Sequence, residues 1–155
     1  RMTVEEIVAT WQPLVEAMPD KKWLFTVSPI RHVKDGLHEN HINKGILLQA
    51  VEQLTKQSGC SYFPAYEIML DELRDYRYYA EDMVHPSSKA VEYIWQRLVE
   101  TYMTADTQAE MKTLHQLWRD EHHRFIHPDS MEAKRFLERL GQKKHELQED
   151  YPWIE

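Results

Sequence analysis

The amino-acid sequence predicts an α/β fold with few parallel strands and a helical C-terminal extension. Two short strand-like runs and one long helical tract carry that prediction. The run "WLFTVSP" is nearly all apolar and rich in β-formers, which suits a strand buried on both faces in a parallel sheet. The run "CSYFPAYEIML" supplies a second strand, and the amphipathic pattern between the two fits a right-handed βαβ crossover. From Ser88 onward the chain reads as helix broken only by short turns.

Each element has its own signal. "TVEE" is a capping box, with Thr3 accepting from the amide three residues on and Glu6 reaching back. Val4, Ile7, Val8, Trp11, Leu14, Val15 and Met18 then follow a helical period, and Pro13 inside it predicts a kink or a break. "MPDKK" is a turn. The first strand spans Trp23–Ser28 and Pro29 stops it. "IRHVKDGLHENHINK" is too charged for a core element and reads as a long loop, the kind of segment that often carries function. Ile46, Leu47, Ala50, Val51 and Leu54 define a second helix, ended near "SG". The second strand is read as Ser61–Phe63, closed by Pro64. After the Tyr-rich "DELRDYRYYAED", Ser87 or Ser88 caps a helix carrying Ala90, Val91, Ile94, Trp95, Leu98, Val99 and Tyr102. Met111, Leu114, Trp118 and Phe125 are expected to line one face of the next helix. "HPDS" breaks the chain, and "DSME" caps a last helix carrying Phe136, Leu137, Leu140 and Leu147. The expected division is an α/β part over residues 1–104 and a helical extension packed on it over 105–155. Two parallel strands alone make a poor sheet. Either helices cover them, or further strands belong to sequence not present here; the second is the preferred expectation.

Composition excludes several classes. The chain has 155 residues, enough for one domain with a core, and 42% apolar with 11% aromatic residues predicts folding rather than disorder. A net charge of −7 argues against nucleic-acid phosphates and against a polybasic membrane surface as partners. No apolar run approaches the length of a membrane span. Cys60 is the single cysteine, so no internal disulfide forms, and a reducing, cytoplasmic compartment is expected. The opening "RMTVEEIVATW" has no signal-peptide core.

Three Asp-x-x-His spacings occur: Asp35–His38, Asp82–His85 and Asp120–His123. A histidine general base needs one ring nitrogen on the nucleophile and the other held by a carboxylate, and this spacing lets the two side chains fold back on each other. Nine Asp and nine His in this length give about half an instance by chance, so context must separate the three. Asp120–His123 sits inside a surface helix and Asp35–His38 in the polar loop. Asp82–His85 follows an aromatic segment and precedes a proline and a helix start; its bland reading is a polar turn at a helix entry. His32, His38 and His41 share one segment, and His122, His123 and His127 another. No HExxH or CxxC pattern accompanies them, so a solvated face is expected and no metal or organic cofactor. No serine or cysteine makes a good nucleophile. Ser28 is followed by Pro29, which has no N–H for an oxyanion hole, Ser87 is better used as a cap, and Cys60 lies before the second strand. Arg31 and His32 follow the first strand directly, at the strand end where α/β sheets place their ligands.

Three stretches, "LFTVSPIRHVKDGLHEN", "YFPAYEIMLDELRDYRYYAEDMVHPSSKAVEYIW" and "HRFIHPDS", closely resemble the GSCFA domain proteins of bacteria. That family is placed with the SGNH/GDSL-like hydrolases. The resemblance implies the C-terminal part of an SGNH-like three-layer α/β/α fold. The Gly-Ser-Cys-Phe-Ala stretch that names the family is absent from these residues. The resemblance therefore also implies that the nucleophilic serine lies outside them. In SGNH-type enzymes the last sequence block is Asp-x-x-His. "DMVHP" stands in that place, which implies His85 as general base and Asp82 as its orienting acid. The "SPIRH" run resembles the family's "SPVRH" and implies that Ser28, Arg31 and His32 face the substrate. "ENHINK" departs from a more usual "NQRSK"-like run at His41 and Asn43, and His127 stands where relatives often carry Asn.

The implied activity is hydrolysis of an acyl ester, on a small molecule or a glycan, with no nucleic-acid or membrane partner. An O-acyltransferase on the same scaffold and a non-enzymatic binding module are the alternatives. An open sheet edge also makes a homo-oligomer of this chain an expected partner.

Overall fold

The structure is a computed structural model and describes residues 1–154. The backbone divides into two compact units, Arg1–Thr101 and a second from Tyr102 onward.

The first unit is mixed α/β and mostly helical. Helix α1 covers Val4–Ala17 and starts on the capping box, both halves of which form: Thr3 Oγ1 accepts from the Glu6 N–H, and the Glu6 carboxylate accepts from the Thr3 N–H. Pro13 does not break it; the helix runs through to Ala17. Strand β1, Trp23–Phe25, pairs in parallel with β2, Cys60–Tyr62, in the register Trp23–Cys60, Leu24–Ser61 and Phe25–Tyr62. Gly59 leads into β2 at φ +81°, with the Lys21 carbonyl 3.3 Å from where a Cβ would lie, so only glycine suits this turn.

Both strands differ from the sequence expectation. β1 ends three residues early and β2 starts and ends one residue early. The reason is Pro64. The Phe63 N–H makes the last ladder bond to the Phe25 carbonyl; Pro64 then turns the chain, and the Ala65 N–H goes to Phe63 instead. With one partner strand and no donor at Pro64, the ladder stops. Cys60 lies within β2 rather than before it.

The expected loop after β1 is the larger correction. Val33–Asp35 form one 3₁₀ turn, Gly36 takes φ +83°, and helix α2 then runs Leu37–Leu54. Most of "LHENHINK" is thus the first two turns of a helix. Its polar residues hid it, because the buried face there holds Asn40 and Lys44 in line with Ala50 and Leu54.

Aromatic packing joins α1 to the sheet. The Trp11 ring stands edge-on to Trp23 at 6.3 Å and to Phe25 at 5.7 Å between centroids. Strand alternation puts Trp23 and Phe25 on that face and Leu24 on the other. After β2, helix α3 (Ala65–Glu67) widens into a π-helical turn over Ile68–Leu73, closed by Arg74 at φ +35° donating to the Met69 carbonyl. The wide turn places Ile68, Met69 and Leu73 together in the core. Helix α4, Ser88–Tyr102, covers them with Tyr93, Ile94 and Leu98. The Ser87 hydroxyl accepts from the Ala90 N–H, so Ser87 is the cap.

The second unit contains α5 (Ala105–Glu121) and α6 (Met131–Asp150), capped by Thr104 and Ser130. Lys143–Asp120 at 3.4 Å and Lys144–Glu121 at 2.8 Å tie one to the other. The inner line of α5 ends on buried Leu117, not on Trp118, which is 54% exposed between the rings of His115 and His122. Phe125 lies past the helix and packs edge-on to Phe136 at 5.3 Å. Among the described residues, no helix is long and apolar enough to cross a membrane.

Leu54 is 1% exposed while Leu47, on the same helix, is 38% exposed. Leu54→Ala is expected to cost about 3 kcal/mol in urea denaturation, by cavity formation. Leu47→Ala is expected to cost less than about 1 kcal/mol.

Candidate active site

The site is built on a closed loop, Ala80–His85, between the Tyr-rich turn and α4. Tyr79 and Pro86 face each other as a single antiparallel bridge, and the Ala80 N–H donates to the His85 carbonyl at 2.8 Å. The Met83 N–H folds back to the Ala80 carbonyl at 2.9 Å. Met83 itself sits at φ +60°, the left-handed region that a side chain disfavours.

Asp82 holds this loop with one oxygen and the imidazole with the other. Its Oδ1 accepts from the Val84 N–H at 2.9 Å and from the His85 N–H at 3.0 Å. Its Oδ2 lies 2.6 Å from His85 Nδ1. The His85 amide, the Val84 amide and then the imidazole favour the anion, and they hold the Asp82 carboxyl down at about 2. With the anion on Nδ1, that nitrogen carries the proton in the neutral ring, and Nε2 is left with a free lone pair. The side chains are half exposed, 57% for His85 and 50% for Asp82.

The other two Asp-x-x-His spacings make no such pair. Asp120 bonds to Gln116 and Lys143, and the His123 ring packs on Phe125 and Phe136. Asp35 lies in the 3₁₀ turn and His38 in the first turn of α2, with no bond between their side chains. Among the described residues, no three His, Cys, Asp or Glu side chains converge to hold a metal.

His85 lines a cavity of about 440 Å³ whose other walls include Ser28, Ile30, Ile94, Trp95 and Leu98. Ser28 and His85 are thus brought together on one cavity. The Ser28 hydroxyl accepts from the Ile30 N–H at 3.3 Å, a local turn that helps to place it. A larger groove of about 790 Å³ lies between α1 and α2, lined by Trp11, Asn43 and Leu47 among others, and holds none of the predicted site residues.

Arg31 and His32 take other positions. The Arg31 N–H donates to the Val84 carbonyl at 3.2 Å and its Nη1 to the Met83 carbonyl at 3.3 Å. Its guanidinium carbon is 3.8 Å from the Tyr79 ring centroid and lines a separate cavity of about 200 Å³. The His32 N–H donates to Asn40 Oδ1 at 2.9 Å, and its side chain is exposed.

Two supporting residues carry no motif in the sequence. Asn40 receives the His32 amide, and Lys44 Nζ donates to the Ser28 carbonyl at 2.6 Å. Lys44 is 3% exposed, and no carboxylate pairs with it among the described residues. Burial pushes its ammonium below the usual lysine range. The signal was the four-residue spacing of Asn40 and Lys44 on the helical line that continues from Ala50 and Leu54.

A family model, the GSCFA family, matches residues 1–98. The chain belongs to the GSCFA family. No curated protein and no solved structure matches the chain. The matched GSCFA region holds both strands, the Ala80–His85 loop and all five predicted site residues. "HRFIHPDS" and the tail lie outside it, so the resemblance of those segments falls beyond the matched part.

The titration of Asp82 gives a test with a definite sign. Its folded value, about 2, is below the ordinary 3.8. The anion's support of the loop is therefore present in full above 3.8 and lost as pH falls through about 2. Protection of the Val84 and His85 amides, relative to the intrinsic exchange rate at each pH, is expected to hold down to about pH 4 and to fall below it. Asp82→Asn keeps an acceptor for both amides and should leave their exchange nearly unchanged while freeing the imidazole tautomer; Asp82→Ala should lose both.

Proposed function

We propose that the complete protein hydrolyses acyl esters as an SGNH-type serine hydrolase, with His85 as general base and Asp82 as its orienting acid. The observation that carries this reading is the 2.6 Å contact from Asp82 Oδ2 to His85 Nδ1 beside an apolar cavity. Membership in the GSCFA family supports it.

In this reading His85 Nε2 takes the proton of a serine hydroxyl as that oxygen attacks the ester carbonyl. Collapse of the tetrahedral adduct breaks the ester C–O bond, and the proton passes from Nε2 to the departing alcohol. Water then attacks the acyl-serine, giving its proton to Nε2, and the second collapse returns that proton to the serine and releases the acid. Asp82 keeps the proton on Nδ1 throughout and stabilises the imidazolium. The nucleophile is assigned to a serine outside these residues. Ser87 is occupied as the α4 cap, and Ser28 is followed by Pro29 with no amide to offer an oxyanion. Ser28 serves as a substrate-facing residue on the cavity wall. His32, exposed beside the same strand end, is a contact for a polar part of the substrate.

The test is turnover of a chromogenic ester by the complete polypeptide. His85→Ala is expected to lower kcat by about 10²–10⁴-fold. An unchanged kcat would remove His85 from the chemistry, and no ester turnover by the complete polypeptide would leave a binding module as the better reading. The 155-residue chain alone is expected to turn over no ester. Turnover by it that Ser28→Ala or Cys60→Ala abolishes would move the nucleophile into this chain.

A further inference from the structure

We infer that Arg31 is a positioning residue for the Asp82–His85 pair, acting by clamping the left-handed turn at Met83. This deepens the hydrolase reading, since it assigns work to a residue of the same site. The clamp itself is a property of the folded chain and needs no turnover to be seen.

The loop has a weak point. Asp82 orients the imidazole, but the backbone between them passes through Met83 at φ +60°. A methionine there pays a steric cost that an extended or right-handed conformation would relieve. Relaxation of Met83 would redirect the Val84 and His85 amides and pull the ring away from Oδ2. Within the loop, the Asp82 carboxylate and the Met83–Ala80 and Ala80–His85 backbone bonds hold the turn, and all of them rest on the same backbone.

Arg31 supplies the outside hold at adjacent peptide units. Nη1 donates to the carbonyl of Met83 itself, and the Arg31 main-chain N–H donates to the next carbonyl, that of Val84. The first bond fixes the peptide plane that leaves Met83. The second pins the loop to the segment that follows β1, the same segment that presents Ser28 to the cavity. The guanidinium is in turn held against the buried Tyr79 ring at 3.8 Å, with Tyr76 farther off at 5.9 Å. A planar cation can lie on a ring and donate in its own plane at the same time. An ammonium is a compact, strongly hydrated charge without that flat fork, so a lysine here would stack on Tyr79 and hold the Met83 carbonyl less well. The cavity that His85 lines does not include Arg31, so its work is done through the loop rather than on a ligand in that cavity.

The readout is the tautomer of the neutral His85 ring, followed by nitrogen NMR in the whole chain. In the unchanged chain the Nδ1–H form should dominate. In Arg31→Lys the ratio of Nδ1–H to Nε2–H is expected to fall by about threefold or more, part of the worth of one charged hydrogen bond. Adding Met83→Gly should restore the ratio, because glycine takes positive φ without strain and no longer needs the clamp. Tyr79→Leu leaves Arg31 in place but removes the ring beneath it, and should shift the ratio in the same direction; it decides the matter if Arg31→Lys does not fold. An unchanged ratio in the folded Arg31→Lys chain would overturn the inference. So would a shift that Met83→Gly does not reverse, since the effect would then run by a route other than the turn. Neither result depends on ester turnover, so failure here is distinct from failure of the hydrolase reading.

Discussion

The carboxylate of Asp82 is the group on which the candidate site depends, because its two oxygens do different jobs. Oδ1 collects two backbone amides and makes the turn; Oδ2 meets the imidazole. The bland reading of Asp-x-x-His, a polar turn before a helix, is therefore true of one oxygen. The chemical reading concerns the other. They are coupled, since a carboxylate whose plane is set by two amides has little freedom left in where its second oxygen points. A side chain with one acceptor could make the turn or hold the ring, but not both from this position.

The scaffold around that carboxylate is polar where a core element is usually apolar. β1 contributes three residues and then releases the chain into a segment with no ladder partner. Backbone groups there still need partners. Lys44 Nζ donates to the Ser28 carbonyl, Asn40 Oδ1 accepts from the His32 amide, and the loop carbonyl of Val84 accepts from the Arg31 amide. α2 thus turns an amide and an ammonium inward to hold an irregular strand exit. Burying Lys44 without a carboxylate is costly, and the depressed proton affinity of its ammonium expresses that cost. What it secures is the placement of Ser28 beside the cavity that His85 lines.

That arrangement also explains what was legible in the sequence. The Thr3–Glu6 capping box, the strand pair and the Ser87 and Ser130 caps follow local rules, and each forms within a few residues of where residue types alone put it. Strand lengths are not legible because "WLFTVSP" continues its β pattern past Phe25, while the ladder needs a donor that Pro64 lacks. The start of α2 leaves no apolar period in the sequence, because its inner face is Asn40 and Lys44 and periodicity arguments count only apolar residues. Trp118 fits the apolar period, yet its neighbour Leu117 is the buried residue, a difference of one position that hydrophobicity cannot resolve. At the site, the Asp82–His85 spacing was readable, but two other pairs shared it. Only the left-handed Met83 and the closed loop separate the real contact from the spacing. In the sequence, Arg31 shows only its nearness to a strand end. Its attachment to a loop 52 residues away is a tertiary fact with no local trace.

The exposure of the pair decides what kind of contribution it makes. With His85 and Asp82 both about half open to solvent, their attraction is screened, and a surface ion pair of this kind adds little to stability. Its value is directional. A 2.6 Å contact selects one tautomer and one ring rotation, and this selection survives in water because it follows from geometry rather than from field strength. The field would matter at the moment an imidazolium forms, and there a low-dielectric surrounding multiplies the effect of the same anion. Ile30, Ile94, Trp95 and Leu98 offer an apolar wall on one side of the ring. Under the proposed hydrolase reading, a bound ester covering the remaining side would displace water from the pair as it placed its carbonyl. On this view the loop stores orientation in the free protein, and the substrate itself completes the electrostatics.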